Sequence, residues 1–296
     1  MNRVLILLFV MFSSYRICIA QNTAAVENYE KGQYALILGN YEEAISHFSA
    51  AIASMRMNPD LYTARGRAYL ELDDTLQGFY DLNRASKLDS NLSSPYLIKG
   101  NYFFNLQDYG IALIEYNTGI SIKKRDTKLL FNRASTYVSM GMLDSAMYDL
   151  DQVLKLKPKH FYARKNRALI RFKQGSLNGA LEDFNLVLQI NRNDFSAYLN
   201  KGHILQRQKK YKKAIENYDL ALSIIPNHVE SLQSRAYTKY LDGQYEAAIA
   251  DCNILLDLNP RDAEALLTRG LSKQKQNRGL SAKEDIELAK KLKDLR

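Results

Sequence analysis

The sequence predicts an all-α solenoid of eight stacked 34-residue helix–turn–helix repeats. Three observations predict it. Small residues recur at two phases of a 34-residue frame that starts at Ala25 and fills 25–296 without insertion. Glycine and proline fall at fixed phases of that frame, where helices stop. Only 5 Pro and 14 Gly occur in 296 residues, which suits helices better than a strand-and-turn fold.

The repeats are 25–58, 59–92, 93–126, 127–160, 161–194, 195–228, 229–262 and 263–296. Position 8 reads Gly32, Gly66, Gly100, Ala134, Ala168, Gly202, Ala236, Gly270. Position 20 is Gly78 in repeat 2 and alanine in the other seven. These columns let two antiparallel helices approach closely. Position 24 is large in seven repeats; the exception is Cys252 in repeat 7. Gly39, Gly141, Gly175 and Gly243 at position 15 end the first helix. Pro158, Pro226 and Pro260 at position 32 stop the second. In repeat 1 the proline, Pro59, comes three residues later, so the second helix there is expected to run almost a turn longer. A helix pair of this size cannot bury its apolar face alone and must stack on its neighbours.

The pattern resembles the tetratricopeptide repeat family over nearly all of residues 25–296. "GNYEEAISHFSAAI" (39–52) and "GQYEAAIADCNILLDLNP" (243–260) look like the second half of that repeat. The resemblance implies a right-handed superhelix and a concave face lined by the first helices. Tyr62, Tyr96 and Tyr198 keep the aromatic usual near position 4, where repeat 5 has Arg164. The last helix, "SAKEDIELAKKLKDLR", is heavily charged, as a terminal capping helix needs.

Position 7 is basic in all eight repeats: Lys31, Arg65, Lys99, Arg133, Arg167, Lys201, Arg235, Arg269. Position 23 is acidic in six, with His47 and Asn217 as exceptions. One column lies on the first helix and the other on the second. They are read as ion pairs within a repeat, each worth under about 1 kcal/mol where exposed.

Position 6 is Asn132, Asn166 and Asn200, then Ser234 and Thr268. The related glycosyltransferase-type repeats use an asparagine there to hold the backbone of an extended peptide. The resemblance therefore makes Asn132, Asn166 and Asn200 peptide-binding candidates. A side-chain amide both donates and accepts, which matches a peptide unit. Phe131, Lys165 and Arg207 are expected on the same face, with Phe104, Tyr162, Phe172, Lys173 and His203 around them. A carboxylate clamp needs a Lys at position 5 and an Asn at 9; Lys165 is followed by Leu169, so none is expected.

The N-terminus follows other rules. Arg3 precedes nine apolar residues, Val4–Phe12, a run too short to span a bilayer. Cys18-Ile19-Ala20 then resembles a cleavage site, so residues 1–20 are read as a secretory signal peptide. The expectation is a periplasmic or extracellular protein with no membrane span after cleavage. The net charge of +9 becomes +7 without Arg3 and Arg16. Cys252 is then the single thiol, expected to be a buried small hydrophobe.

No catalytic constellation is legible. His47, His160, His203 and His228 read as unrelated in phase, with no metal-ligand spacing. There is no phosphate-cradling glycine loop, and no cofactor is expected. Asn91-Leu92-Ser93 is a lone glycosylation sequon. The reading is a non-catalytic scaffold that binds a protein or peptide partner. The alternatives are a non-catalytic subunit of an envelope enzyme complex and, less favoured, an RNA-binding repeat. The acids at position 23 offset the basic column, so nucleic acid is not the expected partner.

Overall fold

The computed structural model describes residues 23–294, so the proposed signal peptide lies outside the described residues. The first helices of the repeats are α1 (23–38), α3 (Pro59–Glu71), α5 (Ser94–Asn105), α7 (Thr127–Ser139), α9 (Phe161–Lys173), α11 (Phe195–Arg207), α13 (Val229–Leu241) and α15 (Ala263–Lys275). The second helices are α2 (Tyr41–Ser54), α4 (Thr75–Leu88), α6 (Tyr109–Ile122), α8 (Leu143–Leu156), α10 (Leu177–Ile190), α12 (Tyr211–Ile224), α14 (Tyr245–Leu258) and α16 (Gly279–Asp294). No strand occurs among the described residues. The helices form two compact units, one up to Lys157 and one from Pro158, each a stack of four helix pairs.

The small columns do what their size demands. Gly100 and Gly202 lie under the rings of Tyr116 and Tyr218; a Cβ there would sit 2.4 and 2.3 Å from a ring carbon. Where position 24 is Leu150 or Phe184, the partner is Ala134 or Ala168. Cys252 is fully buried in the same column, and burial pushes its thiol up to about 12.

Position 15 is more uniform than its glycines suggest. All eight repeats turn there with positive φ, from 59° at Asp73 to 82° at Gly243, including Gln107, Lys209 and Asn277. The turn geometry is thus fixed by the fold and only half the time by glycine.

Two sequence expectations need correction. Helix α2 stops at Ser54 and has the same 14 residues as most second helices. Pro59 does not stop it; Pro59 opens α3 behind the cap Asn58, whose side chain accepts from Asp60 N–H at 3.0 Å. Proline is well suited to a first helical position. Nor are all the histidines unrelated in phase. His160 and His228 both occupy position 34, and each Nδ1 accepts from a backbone N–H at the start of the next helix. Asp126, Asp194 and Asp262 cap in the same way at the same phase.

The ion-pair columns are realised as forks. Arg65, Arg133, Arg167, Arg235 and Arg269 each grip the carboxylate of Asp81, Asp149, Asp183, Asp251 or Asp285 bidentately. Nε donates to one oxygen and Nη2 to the other, at 2.7–3.0 Å. The aspartates are buried, so the weak magnitude of an exposed pair does not apply.

Nη1 then reaches out of the repeat. It donates to position 25 of the preceding second helix: Arg65 to Ser49, Arg133 to Asn117, Arg235 to Asp219, Arg269 to Asn253. One guanidinium therefore joins three helices. The lysines do less. Lys99 donates to Asn83 across the repeat junction, at 2.6 Å, and Lys31 pairs with Glu27. Burial holds the Lys201 ammonium below its ordinary pKa, and the Oδ1 of Asn217 facing that column is buried without a partner.

Arg164 explains the missing aromatic of repeat 5. Tyr62 donates its hydroxyl to the carbonyl of Arg56, six residues back; Arg164 Nη2 donates to Pro158 at the same offset. Arg164 also reaches Asp183 at 3.2 Å, as does Arg171 at 2.8 Å.

Two stability predictions follow from the fork. Arg133→Ala leaves Asp149 buried and unpaired, and should cost about 3–5 kcal/mol in urea unfolding. The double variant with Asp149→Ala should lose clearly less than the sum of the singles. Conversely, Lys201→Arg with Asn217→Asp installs the fork in repeat 6 and should raise stability by about 1 kcal/mol.

Candidate functional site

The inner face of the second unit is built by the first helices α11, α13 and α15, which pack on one another in order. They enclose a recess of about 300 Å³. His203, Gln206, Gln233, Ser234, Tyr237, Glu264 and Thr268 line its walls, and Cys252 and Leu255 of α14 form its floor. The lining is mostly neutral donors and acceptors. Three of them are aimed by a bond to the next repeat. His203 Nε2 meets Ser234 Oγ at 3.0 Å, Gln206 donates to Thr238 at 2.8 Å, and Gln233 donates to the cap Asp262 at 2.7 Å. Below, the buried Tyr218 hydroxyl lies towards Ser234 and Thr238 without a well-directed hydrogen bond.

The predicted site residues divide between the units. In the first, Asn132 donates to Asn101 Oδ1 at 2.6 Å, and Tyr116 donates to the same oxygen at 2.8 Å. Phe131 is half-buried on α7. In the second, Asn200 donates back to the Ser196 carbonyl at 2.7 Å. Asn166 is half-buried and makes no side-chain hydrogen bond among the described residues. Lys165 donates to Asp194 at 3.0 Å and lies over the Phe161 ring. Arg207 is exposed at the end of α11 and makes no ion pair among the described residues. Of the three asparagines, therefore, Asn166 alone keeps its whole amide free, and the Lys165 charge is already matched.

His203 is the titratable group of the recess. Burial lowers its pKa, opposed by Glu230 at 4.0 Å. Among the described residues no group of three or more His, Cys, Asp and Glu is placed to hold a metal ion, and no helix is long and apolar enough to cross a membrane.

Comparison with known proteins agrees with this geometry. Tetratricopeptide repeat family models match residues 29–86, 127–160 and 195–228. The last two coincide with repeats 4 and 6 of the frame. These three segments match the tetratricopeptide repeat family. The chain is similar to the Hsp70-Hsp90 organizing protein of Triticum aestivum, 28% identical over 119 residues, covering 40% of this chain and 19% of that protein. It is 32% identical over 83 residues to tetratricopeptide repeat protein 12 of Homo sapiens, covering 28% and 12%. The matched segment is thus a small part of either relative. Among solved structures, YrrB, described as a tetratricopeptide-repeat protein with an unusual peptide-binding site, superposes with TM-score 0.56 at 20% identity, covering 64% of this chain and 97% of YrrB. The C-terminal part of a repeat protein from Cytophaga hutchinsonii superposes with TM-score 0.65 at 16% identity, covering 81% and 98%. At these identities the likeness shows the fold.

Gln206 and Gln233 were not singled out by sequence. Their signal is present only in retrospect. Gln233 at position 5 aligns with Lys165, and both reach the position 34 cap of the following helix.

The asparagine column should split on mutation. Asn132→Ala orphans part of the Asn101 network and should cost about 1 kcal/mol in a melting experiment. Asn166→Ala should leave the melting temperature unchanged. A histidine with a depressed folded pKa loses stability as pH falls below its unfolded value near 6.5. The melting temperature should therefore drop as pH falls below about 6.5, and His203→Gln should reduce that drop.

Proposed function

We propose that the chain is a non-catalytic scaffold that holds an extended peptide segment of an envelope or secreted partner against its first helices. The observation that carries the reading is the recess on α11, α13 and α15. Amides and hydroxyls line it; His203, Gln206 and Gln233 are each held by one bond to the next repeat, and the two glutamine amides retain capacity for another. Such groups match the alternating N–H and C=O of a peptide main chain. Tyr237, almost half exposed, offers a ring for one side chain. Asn166 and Asn200 extend the polar lining towards repeat 5 of the same unit. Export of the chain, and hence an envelope or secreted partner, rests on the N-terminal sequence.

Selection of binders from a displayed peptide library by the folded chain supplies the test ligand. Gln206→Ala, Gln233→Ala and Thr268→Ala together should then weaken binding by about 1.5–4.5 kcal/mol, or roughly 10- to 2,000-fold. Titration calorimetry reads the affinity. Unchanged affinity in the triple variant, with unchanged folding, would remove the recess as the site.

A further inference from the structure

The charge of this protein is confined to one unit. Residues 1–157 carry 16 Lys and Arg against 16 Asp and Glu, whereas residues 158–296 carry 25 against 16. The excess is densest at the turn between α11 and α12, "RQKKYKK" (207–213). Arg207, Lys209, Lys210, Lys212 and Lys213 are all exposed there. None of the five makes an ion pair among the described residues; Lys210 donates to Gln208 Oε1. Lys209 occupies the left-handed position that four repeats give to glycine, with φ of 60°. A lysine kept there carries backbone strain. In repeat 2 of the other unit the matching positions are Glu71, Asp73 and Asp74.

Because α11, α13 and α15 stack in register, their C-terminal turns line one edge of the second unit. Lys275 and the 85% exposed Leu280 stand on that edge in repeat 8, with Leu241 between. Two acids of the edge have side-chain partners, and Glu216, a turn along α12 from Lys212, makes no ion pair among the described residues. Glu246 pairs with Arg278, and Asp242 accepts from Gln244.

We infer that this edge, centred on Arg207–Lys213, is an electrostatic docking surface for a bilayer with anionic headgroups. Four of the five cations are lysines. They are hydrated point charges on flexible stems, lacking the planar fork that selects one carboxylate or phosphate. A charged bilayer asks only for density of such charges near its surface. Single-stranded nucleic acid would want an exposed aromatic platform among them, but Tyr211, the aromatic of the turn, is half-buried. An exposed leucine on the same edge suits the headgroup boundary. The inference is independent of the peptide recess.

The test is co-sedimentation of the full chain with vesicles of phosphatidylcholine alone or mixed with phosphatidylglycerol. The readout is the excess binding to the anionic vesicles, so any contribution of the apolar residues 4–12 is common to all samples. The wild type should show an excess that falls as salt rises. Lys209→Glu, Lys210→Glu, Lys212→Glu and Lys213→Glu together should lower it by roughly 1,000-fold. The four Lys→Arg changes should preserve it. A variant of equal net charge, with Glu at Lys87, Lys283, Lys290 and Lys291, should keep most of it. Thermal melting confirms that each variant is folded. No excess over neutral vesicles, or an equal loss in the matched-charge variant, would overturn the inference. Binding to polyuridine RNA or polyglutamate without binding to vesicles would do the same.

Discussion

The structure depends on a buried carboxylate held in a guanidinium fork. An aspartate at position 23 sits between two helices, where water cannot solvate it. An unpaired charge in that place would be prohibitively costly, so the arginine at position 7 is obligatory once the aspartate is there. The fork's two donors fix the angle between the helices of one repeat. The third donor, Nη1, is left pointing at the preceding second helix and finds Ser49, Asn117, Asp219 or Asn253. Pairing within a repeat and stacking between repeats are thus two consequences of one planar group. Lysine cannot supply both, and Lys99 donates across the junction.

The two units complete the fork differently. In repeats 2 and 4 the guanidinium carbon lies 5.8 Å from the rings of Tyr69 and Tyr137 at position 11. In repeats 5, 7 and 8 that position holds Arg171, Lys239 and Lys273, each bonded to the same aspartate as the fork. The first unit shields its charges with aromatic faces, and the second surrounds them with further cations. This choice helps make the second unit strongly basic while the first is neutral. The outer cations of the α11–α12 turn make no ion pair among the described residues.

Much of this was legible in the sequence, and the limits were physical. The columns at 7, 8, 20 and 23 stand out because close packing and a buried charge tolerate few residue types. Position 25 did not, because serine, asparagine and aspartate all satisfy one Nη1 donor. Position 15 was half visible: the left-handed turn is universal, but Asp73, Gln107, Lys209 and Asn277 bear it without glycine. His160 and His228 escaped because imidazole was weighed, and set aside, only as a metal or catalytic group, whereas its lone pair serves as a helix cap. The asparagine column marked the inner face, but whether each amide is already engaged depends on the neighbours that stacking brings. Asn101 of repeat 3 engages Asn132, and Ser196, one turn earlier on α11, engages Asn200.

If one guanidinium couples each repeat to the one before it, that coupling should be visible amide by amide. The measurement is native-state hydrogen exchange on the wild type and on Arg235→Gln. Arg235 grips Asp251 of α14 and also Asp219 of α12. The variant should lose protection in α12 as well as in α13 and α14, while α3 and α4 keep theirs. Protection in α12 that stays at the wild-type level, with loss confined to α13 and α14, would show that the fork holds a repeat together without joining it to its neighbour.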